Sequence, residues 1–185
     1  MGRAMKLTPT AKAQVGNLVD QMKKGNAAAF GEFIEITQNS VFRFCFYLSK
    51  NREQADEICQ ETFLKAMINI GTLSKEYSAL DWLLRIAKNL FIDEFRRTKR
   101  QTELLNDNFE STHVPTSSTE AAFEVRQILS HFEPDDRTLL ILIDLENYSY
   151  LEAATVLGVS EDAVRSRIHR ARQVFVNYMK AGETK

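Results

Sequence analysis

The chain has 185 residues, 44% of them hydrophobic and 26% charged, with a formal net charge of -1. That composition suits one or two small packed domains. No apolar run is long enough to cross a membrane, and the first twenty residues carry Lys6 and Lys12 without an apolar block, so neither a spanning helix nor a secretory signal is expected.

The apolar spacing is helical almost throughout, so the expected class is all-α. Residues 1–25 match no motif and read as either an accessory helix or a flexible tail. Asn26 can cap a helix carrying Phe30, Phe33 and Ile34. A second helix is expected from about Ser40, with Val41, Phe42, Phe44, Cys45 and Leu48. Residues 53–69 predict a third, with Ile58, Phe63, Leu64, Met67 and Ile68 on an apolar side. Glu53, Asp56, Glu57, Gln60 and Glu61 line much of its other side. Those carboxylates would repel DNA, so the face reads either as a protein-binding surface or as a plain solvated one. Gly71 to Ala79 reads as a polar loop.

The fourth helix, from about Leu80 to Arg100, is the most informative. Trp82, Arg85, Asn89, Ile92 and Arg96 share one face at steps of three and four, while Leu83, Ala87, Leu90 and Phe91 fall on the other. A tryptophan beside cations and an amide suits an unpaired base, with the ring stacking, the amide reading an edge and the cations holding phosphates. The alternative is a partly buried tryptophan at a helix start beside a solvated polar face.

Residues 102–119 hold Asn106, Asp107, Asn108, Pro115 and a run from Thr116 to Thr119, too polar for a core, and are expected to be a flexible linker. Eighteen residues reach at most about 60 Å, more than the roughly 34 Å of one DNA turn. A second domain is expected from Glu120. Pro134 suits a first helical position, with Asp135 and Asp136 complementing the dipole. Leu139 to Leu145 has the composition of a strand, but its helical neighbourhood favours a buried helix. Ser149-Tyr150-Leu151-Glu152 is a capping box, Gly158 a helix stop and Ser160 a second cap. The helix after Ser160 has Val164, Ile168, Ala171 and Phe175 on one stripe and Arg165, Ser166, Arg167, His169, Arg170 and Arg172 elsewhere. Two short helices around a glycine turn, the second basic, form a helix-turn-helix pattern. Its arginines suit guanine edges and phosphates in a major groove.

Charge is uneven. Residues 1–101 carry 16 basic and 11 acidic side chains, residues 102–119 carry three acidic ones, and residues 120–185 carry 8 basic and 11 acidic. Positive charge is therefore local, which points to focused nucleic-acid contacts plus other partners. Cys45 and Cys59 lie in apolar helical segments with no Cys-x-x-Cys pair, and buried free thiols are favoured over a redox or metal role. His113, His131 and His169 are scattered, and no phosphate-binding glycine loop occurs, so neither catalytic residues nor a cofactor or metal are expected.

Taken together, the motifs resemble those of the extracytoplasmic-function (ECF) sigma factors, the small class of the sigma-70 family with only the second and fourth sigma domains. Ala55-Asp56-Glu57-Ile58-Cys59-Gln60-Glu61-Thr62-Phe63 resembles the family's polymerase-clamp helix. Trp82-Leu83-Leu84-Arg85-Ile86-Ala87-Lys88-Asn89-Leu90, with Asp93 and Arg96-Arg97, resembles its helix facing the -10 element. Residues 149–160 and then Val164 to Arg172 resemble its -35-reading helix-turn-helix. The resemblance covers roughly residues 26–180. It implies a sigma2-like bundle over 26–101, a linker over 102–119 threading the polymerase's RNA exit path, and a sigma4-like domain over 120–185. It implies core RNA polymerase bound by Asp56, Glu57, Gln60 and Glu61. The melted -10 strand would be engaged by Trp82, Arg85, Lys88, Asn89, Arg96 and Arg97, and the -35 duplex by Arg165, Ser166, Arg167, His169, Arg170 and Arg172. An anti-sigma factor as regulator follows from the same likeness; a cytoplasmic location is the default expected without a spanning segment or secretory signal, and no residue set supports catalysis. Two departures stand out: Asp162-Ala163 occupies positions where members often carry Gly-Thr, removing a hydroxyl for phosphate, and Cys59 stands where an aliphatic residue is frequent. A helix-turn-helix regulator acting without polymerase is the alternative.

Overall fold

The computed structural model describes residues 5–49, 51–74, 77–105 and 120–182. They form eight α-helices and two short irregular turns, and no strand occurs among them. Helix α1 spans Pro9–Lys23, begun by Thr8, whose hydroxyl accepts from the Ala11 amide at 3.2 Å. Residues 1–25 therefore contain an ordered helix, with Val15, Leu18, Val19 and Met22 buried. Helix α2 runs unbroken from Ala28 to Leu48 and merges the two helices expected around Ser40. The polar residues at that point do not break it: Thr37 bonds back to the Phe33 carbonyl at 2.7 Å, and Ser40 is buried against the bundle.

Helix α3, Arg52–Asn69, is capped by Asn51, which accepts from the Gln54 amide at 2.8 Å. It carries two apolar stripes. Ala55, Ile58, Cys59, Thr62, Phe63 and Ala66 face the bundle, whereas Leu64, Met67 and Ile68 are exposed, contrary to expectation. One helix can turn only one stripe inward, and the one with small residues at both ends packs closest. After a 3₁₀ turn at Ile70–Thr72, helix α4 extends from Ala79 to Leu105, past the expected end near Arg100. The linker expected over 102–119 therefore begins in helix, and residues 106–119 lie outside those described. Helices α2, α3 and α4 pack on one another, with α1 against α2. Cys45 and Cys59 meet at the α2–α3 contact as free thiols in hydrogen-bonding contact, and that bond, then burial, holds Cys45 well above the usual thiol range.

Helices α5 (Glu120–Leu129), α6 (Pro134–Leu139), α7 (Tyr150–Leu157) and α8 (Glu161–Gly182) build the second half. Leu140–Leu145 continues α6 as a wider π-type turn, so this apolar run is helical and its residues 140–143 are buried, as its neighbours predicted. The two halves share one apolar cluster: α4 packs on α6 and α7, and α2 packs on α5 and α6.

Two arginines join the halves. The last turn of α2 has no basic residue to satisfy its carbonyls. Arg137, 3% exposed, donates to the Leu48 carbonyl at 2.5 Å and to those of Ser130 (2.9 Å) and Phe132 (3.1 Å), with its guanidinium 5.2 Å from the Phe91 ring centre. Arg126 donates to Ser49 at 3.4 Å and lies 3.9 Å from the Phe46 ring centre. Burial pulls the Arg137 pKa down to about 10, so it stays charged at neutral pH. Replacing Arg137 by methionine keeps volume but leaves two buried carbonyls and one partly buried carbonyl without this donor. Urea unfolding is expected to show a loss of about 3 kcal/mol.

Candidate nucleic-acid interface

Trp82, Arg85 and Asn89 come to one side of α4 as their spacing predicts, and Ile86 joins them there. With Thr72, Ser74, Tyr77 and Asp81 they line a cavity of about 280 Å³. Trp82 packs partly on the core while also lining this cavity. The loop before α4 is seated from below: Leu73 is buried, and its carbonyl accepts from the Lys23 ammonium of α1. Helix α1 thereby helps position the loop, a role no local pattern signals.

Part of this face is covered by the other half. Thr155 of α7 lines the same cavity. Arg85 lies against Gly158, where a Cβ would sit 3.0 Å from a guanidinium nitrogen. Gly158 is left-handed (φ 74°) as the cap of α7, so a side chain is disfavoured there twice over. Lys88 is buried, donating to the Leu157 carbonyl at 3.4 Å with Asp135 at 4.0 Å, and burial lowers its pKa. Asn89, Arg96 and Arg97 remain exposed, Arg97 paired with Glu94 at 2.6 Å.

The helix-turn-helix is built as its caps predict. Ser149 accepts from the Glu152 amide, Glu152 reaches back to the Ser149 amide at 2.7 Å, and Ser160 accepts from Ala163 at 3.3 Å. Val164, Ile168 and Ala171 are buried, which turns Arg165, Ser166, His169 and Arg170 outward. Three of the predicted arginines are engaged within the chain in this arrangement, Arg165 with Glu161 of its own helix at 2.9 Å while still exposed. Arg167 is tied to Asp136 (2.5 Å) and Asp135 (3.3 Å), and Arg172 grips Asp144 with three bonds of 2.7–3.1 Å. The bonds to Asp144 raise the Arg172 pKa further. The acidic partners on α6 were read only as dipole complements; their second use depends on the fold.

On α3, Glu57, Gln60 and Glu61 are exposed, and Asp56 is partly so, 3.7 Å from Arg52. Beside them lie the exposed Leu64, Met67 and Ile68 and a groove of about 530 Å³ lined partly by Phe30, Ile34, Phe42 and Phe63. An acidic rim beside an apolar strip suits a protein partner better than a nucleic acid.

Among the described residues no cluster could hold a metal ion, and no helix is long and apolar enough to cross a membrane.

The family model described as Sigma-70 region 2 matches residues 33–101, and that described as Sigma-70, region 4 matches 122–174. The chain is 34% identical over 157 residues to the ECF RNA polymerase sigma factor SigC of Mycobacterium tuberculosis, covering 83% of this chain and 84% of that protein. It is 27% identical over 171 residues to the ECF RNA polymerase sigma factor SigW of Bacillus subtilis, covering 84% and 91%. Among solved structures, CnrH in complex with the cytosolic domain of CnrY is 25% identical, with a TM-score of 0.69 over 91% of this chain and 98% of that one.

Asp81 gives this face a pH dependence. Burial, then the nearby Glu152 carboxylate, raises its pKa from 3.8 to about 6, against the opposing Lys12, Lys6 and Tyr148 hydroxyl. A raised carboxyl stabilises the packed form fully below its unfolded value, and that contribution is lost as pH rises through about 6. Asp81→Asn is expected to gain up to about 3 kcal/mol at about pH 7.5 and nothing at about pH 3.5, read from urea unfolding at both.

Proposed function

Because the chain belongs to the sigma-70 family of RNA polymerase sigma factors, in its extracytoplasmic-function class, we infer that it binds core RNA polymerase and directs promoter-specific transcription initiation. The observation that carries this is the pairing of two matches in order, region 2 over the Trp82 cavity and region 4 over the helix-turn-helix. Family members of this kind act as initiation factors; the bond-making chemistry is the polymerase's, and this chain contributes promoter choice and opening.

Each surface takes a role. The acidic and apolar face of α3, with Asp56, Glu57, Gln60 and Glu61, binds the polymerase clamp. Trp82, Arg85 and Asn89 take an unpaired base of the -10 strand into their cavity, with Tyr77 and Thr72 of the loop at its wall. An unstacked base requires melted DNA, so recognition and opening are coupled. Arg96 and Arg97 lie further along the helix, where they can follow the phosphates. Lys88 joins them only if α7 moves away, since it is buried against Leu157. Arg165, Ser166, His169 and Arg170 read the -35 duplex. Arg167 and Arg172 hold the reading helix in place and reach DNA only by exchanging their carboxylates for phosphates.

The boundaries proposed are 26–101, 102–119 and 120–185, with α1 added to the first unit as a support for its loop. Residues 106–119 span at most about 50 Å, enough for the halves to separate onto two promoter elements. The relative CnrH is bound by the cytosolic domain of CnrY in its solved structure, and an anti-sigma protein of that kind is the further partner proposed. The site of action is the cytoplasm, where the polymerase works. A regulator acting without polymerase is disfavoured by the α3 face, which such a protein does not need.

Run-off transcription on genomic fragments of the source organism, using core polymerase with and without the protein, tests this reading. New transcripts that share a two-part upstream sequence support it; no transcripts from active core and folded protein count against it. Trp82→Ala and Asn89→Ala are expected to impair promoter opening, followed by permanganate footprinting, while pull-down of core polymerase is unchanged. Arg165→Ala and Arg170→Ala are expected to weaken -35 binding by about 1–3 kcal/mol wherever the contact is bidentate to guanine. Arg172→Ala instead lowers the stability of the protein by about 1 kcal/mol, measured by thermal unfolding.

A further inference from the structure

The residues ahead of α1 cross from the first half of the molecule to the second. Met5 is 1% exposed, and its backbone amide donates to Glu146 at 2.8 Å. The other oxygen of the same carboxylate pairs with Arg43 of α2 at 2.6 Å, and Glu146 is itself 3% exposed. Next in the chain, Lys6 pairs with Glu152 at 2.8 Å and lies 4.8 Å from the Tyr148 ring centre. Both carboxylates belong to the helix-turn-helix half: Glu146 precedes the turn into α7, and Glu152 is the capping-box residue of α7 itself.

These contacts bear on the Trp82 cavity because α7 is the helix that covers it. Held by Lys6 at Glu152 in its first turn, and by Met5 at Glu146 in the segment leading into it, α7 keeps Thr155 in the cavity wall and sets its C-terminal residues, Leu157 and the capping Gly158, on Lys88 and Arg85. We propose that Met5 and Lys6, with Arg43, form a latch that holds the helix-turn-helix over the -10-reading face and keeps the free protein from taking an unpaired base. The attraction is electrostatic and only partly buried at Lys6, so its strength falls with salt and with competition for Glu152. A partner that pulls the two halves apart breaks the latch and uncovers the cavity in one motion. The consequence for DNA rests on the role proposed above for Trp82; the contact itself does not.

Trp82 is the single tryptophan of the chain, so its fluorescence reports on this cavity alone. The test compares the full chain with Lys6→Glu, which sets a carboxylate against Glu152, and with the milder Lys6→Gln. Folding is checked by far-UV circular dichroism. Acrylamide quenching of Trp82 is expected to rise in both variants, more in Lys6→Glu. Binding to a fluorescent single-stranded oligonucleotide carrying a -10 sequence from the run-off transcripts should tighten about tenfold for Lys6→Glu. In the unaltered protein, quenching should also rise with sodium chloride. Unchanged quenching in folded Lys6→Gln and across the salt series overturns the latch. Greater quenching without tighter oligonucleotide binding keeps the latch as a contact and overturns its control of base access.

Discussion

Helix α2 ends with carbonyls that need donors and has no cation in its last turn to supply them. The donors come from far along the chain, as the buried guanidiniums of Arg126 and Arg137. A guanidinium taken out of water this far is costly unless its donors find acceptors, and the two terminal nitrogens of Arg137 reach three carbonyls while its Nε has no partner. Much of the packed arrangement depends on this exchange. It fixes α5 and α6 against α2, which sets the helix-turn-helix beside α4, which in turn places Gly158 and Thr155 over the Trp82 cavity.

The same arrangement puts residues proposed to meet nucleic acid to a second use. Lys88 caps the end of α7, Arg85 rests on the glycine that ends it, and Arg167 binds the acids at the start of α6. Cations suit such work because what they need is an oxygen, and a backbone carbonyl or a carboxylate supplies one within the chain. On the roles proposed for them, a packed state of this kind competes with promoter DNA for the same groups. By contrast, Glu57, Gln60, Glu61, Leu64, Met67 and Ile68 of α3 stay exposed in the packed arrangement.

Much of this could be read in advance. The capping box at Ser149, the glycine stop at Gly158 and the buried stripe of Val164, Ile168 and Ala171 are local signals, and each appears as read. Trp82, Arg85 and Asn89 share a face because 3.6 residues make a turn, whatever surrounds them. The misreadings have physical causes. Ser40 looked like a helix start because serine favours caps, but burial and a continuous apolar face carried the helix through it. Leu64, Met67 and Ile68 looked like core because their spacing is helical, yet a competing stripe packed more closely. The first twenty-five residues looked featureless because Met5, Lys6 and Lys23 act through partners tens of residues away.

The sequence by itself determined the helices, their caps, the two DNA-reading patterns and the resemblance that named the family, since these depend on short-range periodicity and residue chemistry. Only the tertiary structure decided which cations are free and which are committed, because that depends on where the carboxylates of α6, the end of α7 and the N-terminal segment come to rest. It also decided that Cys45 and Cys59 touch and that the cavity at Trp82 has a wall from the opposite half. Contacts between residues 69 or 141 positions apart, such as Lys88 with Leu157 and Met5 with Glu146, leave no periodic trace in a chain, because packing alone brings them together.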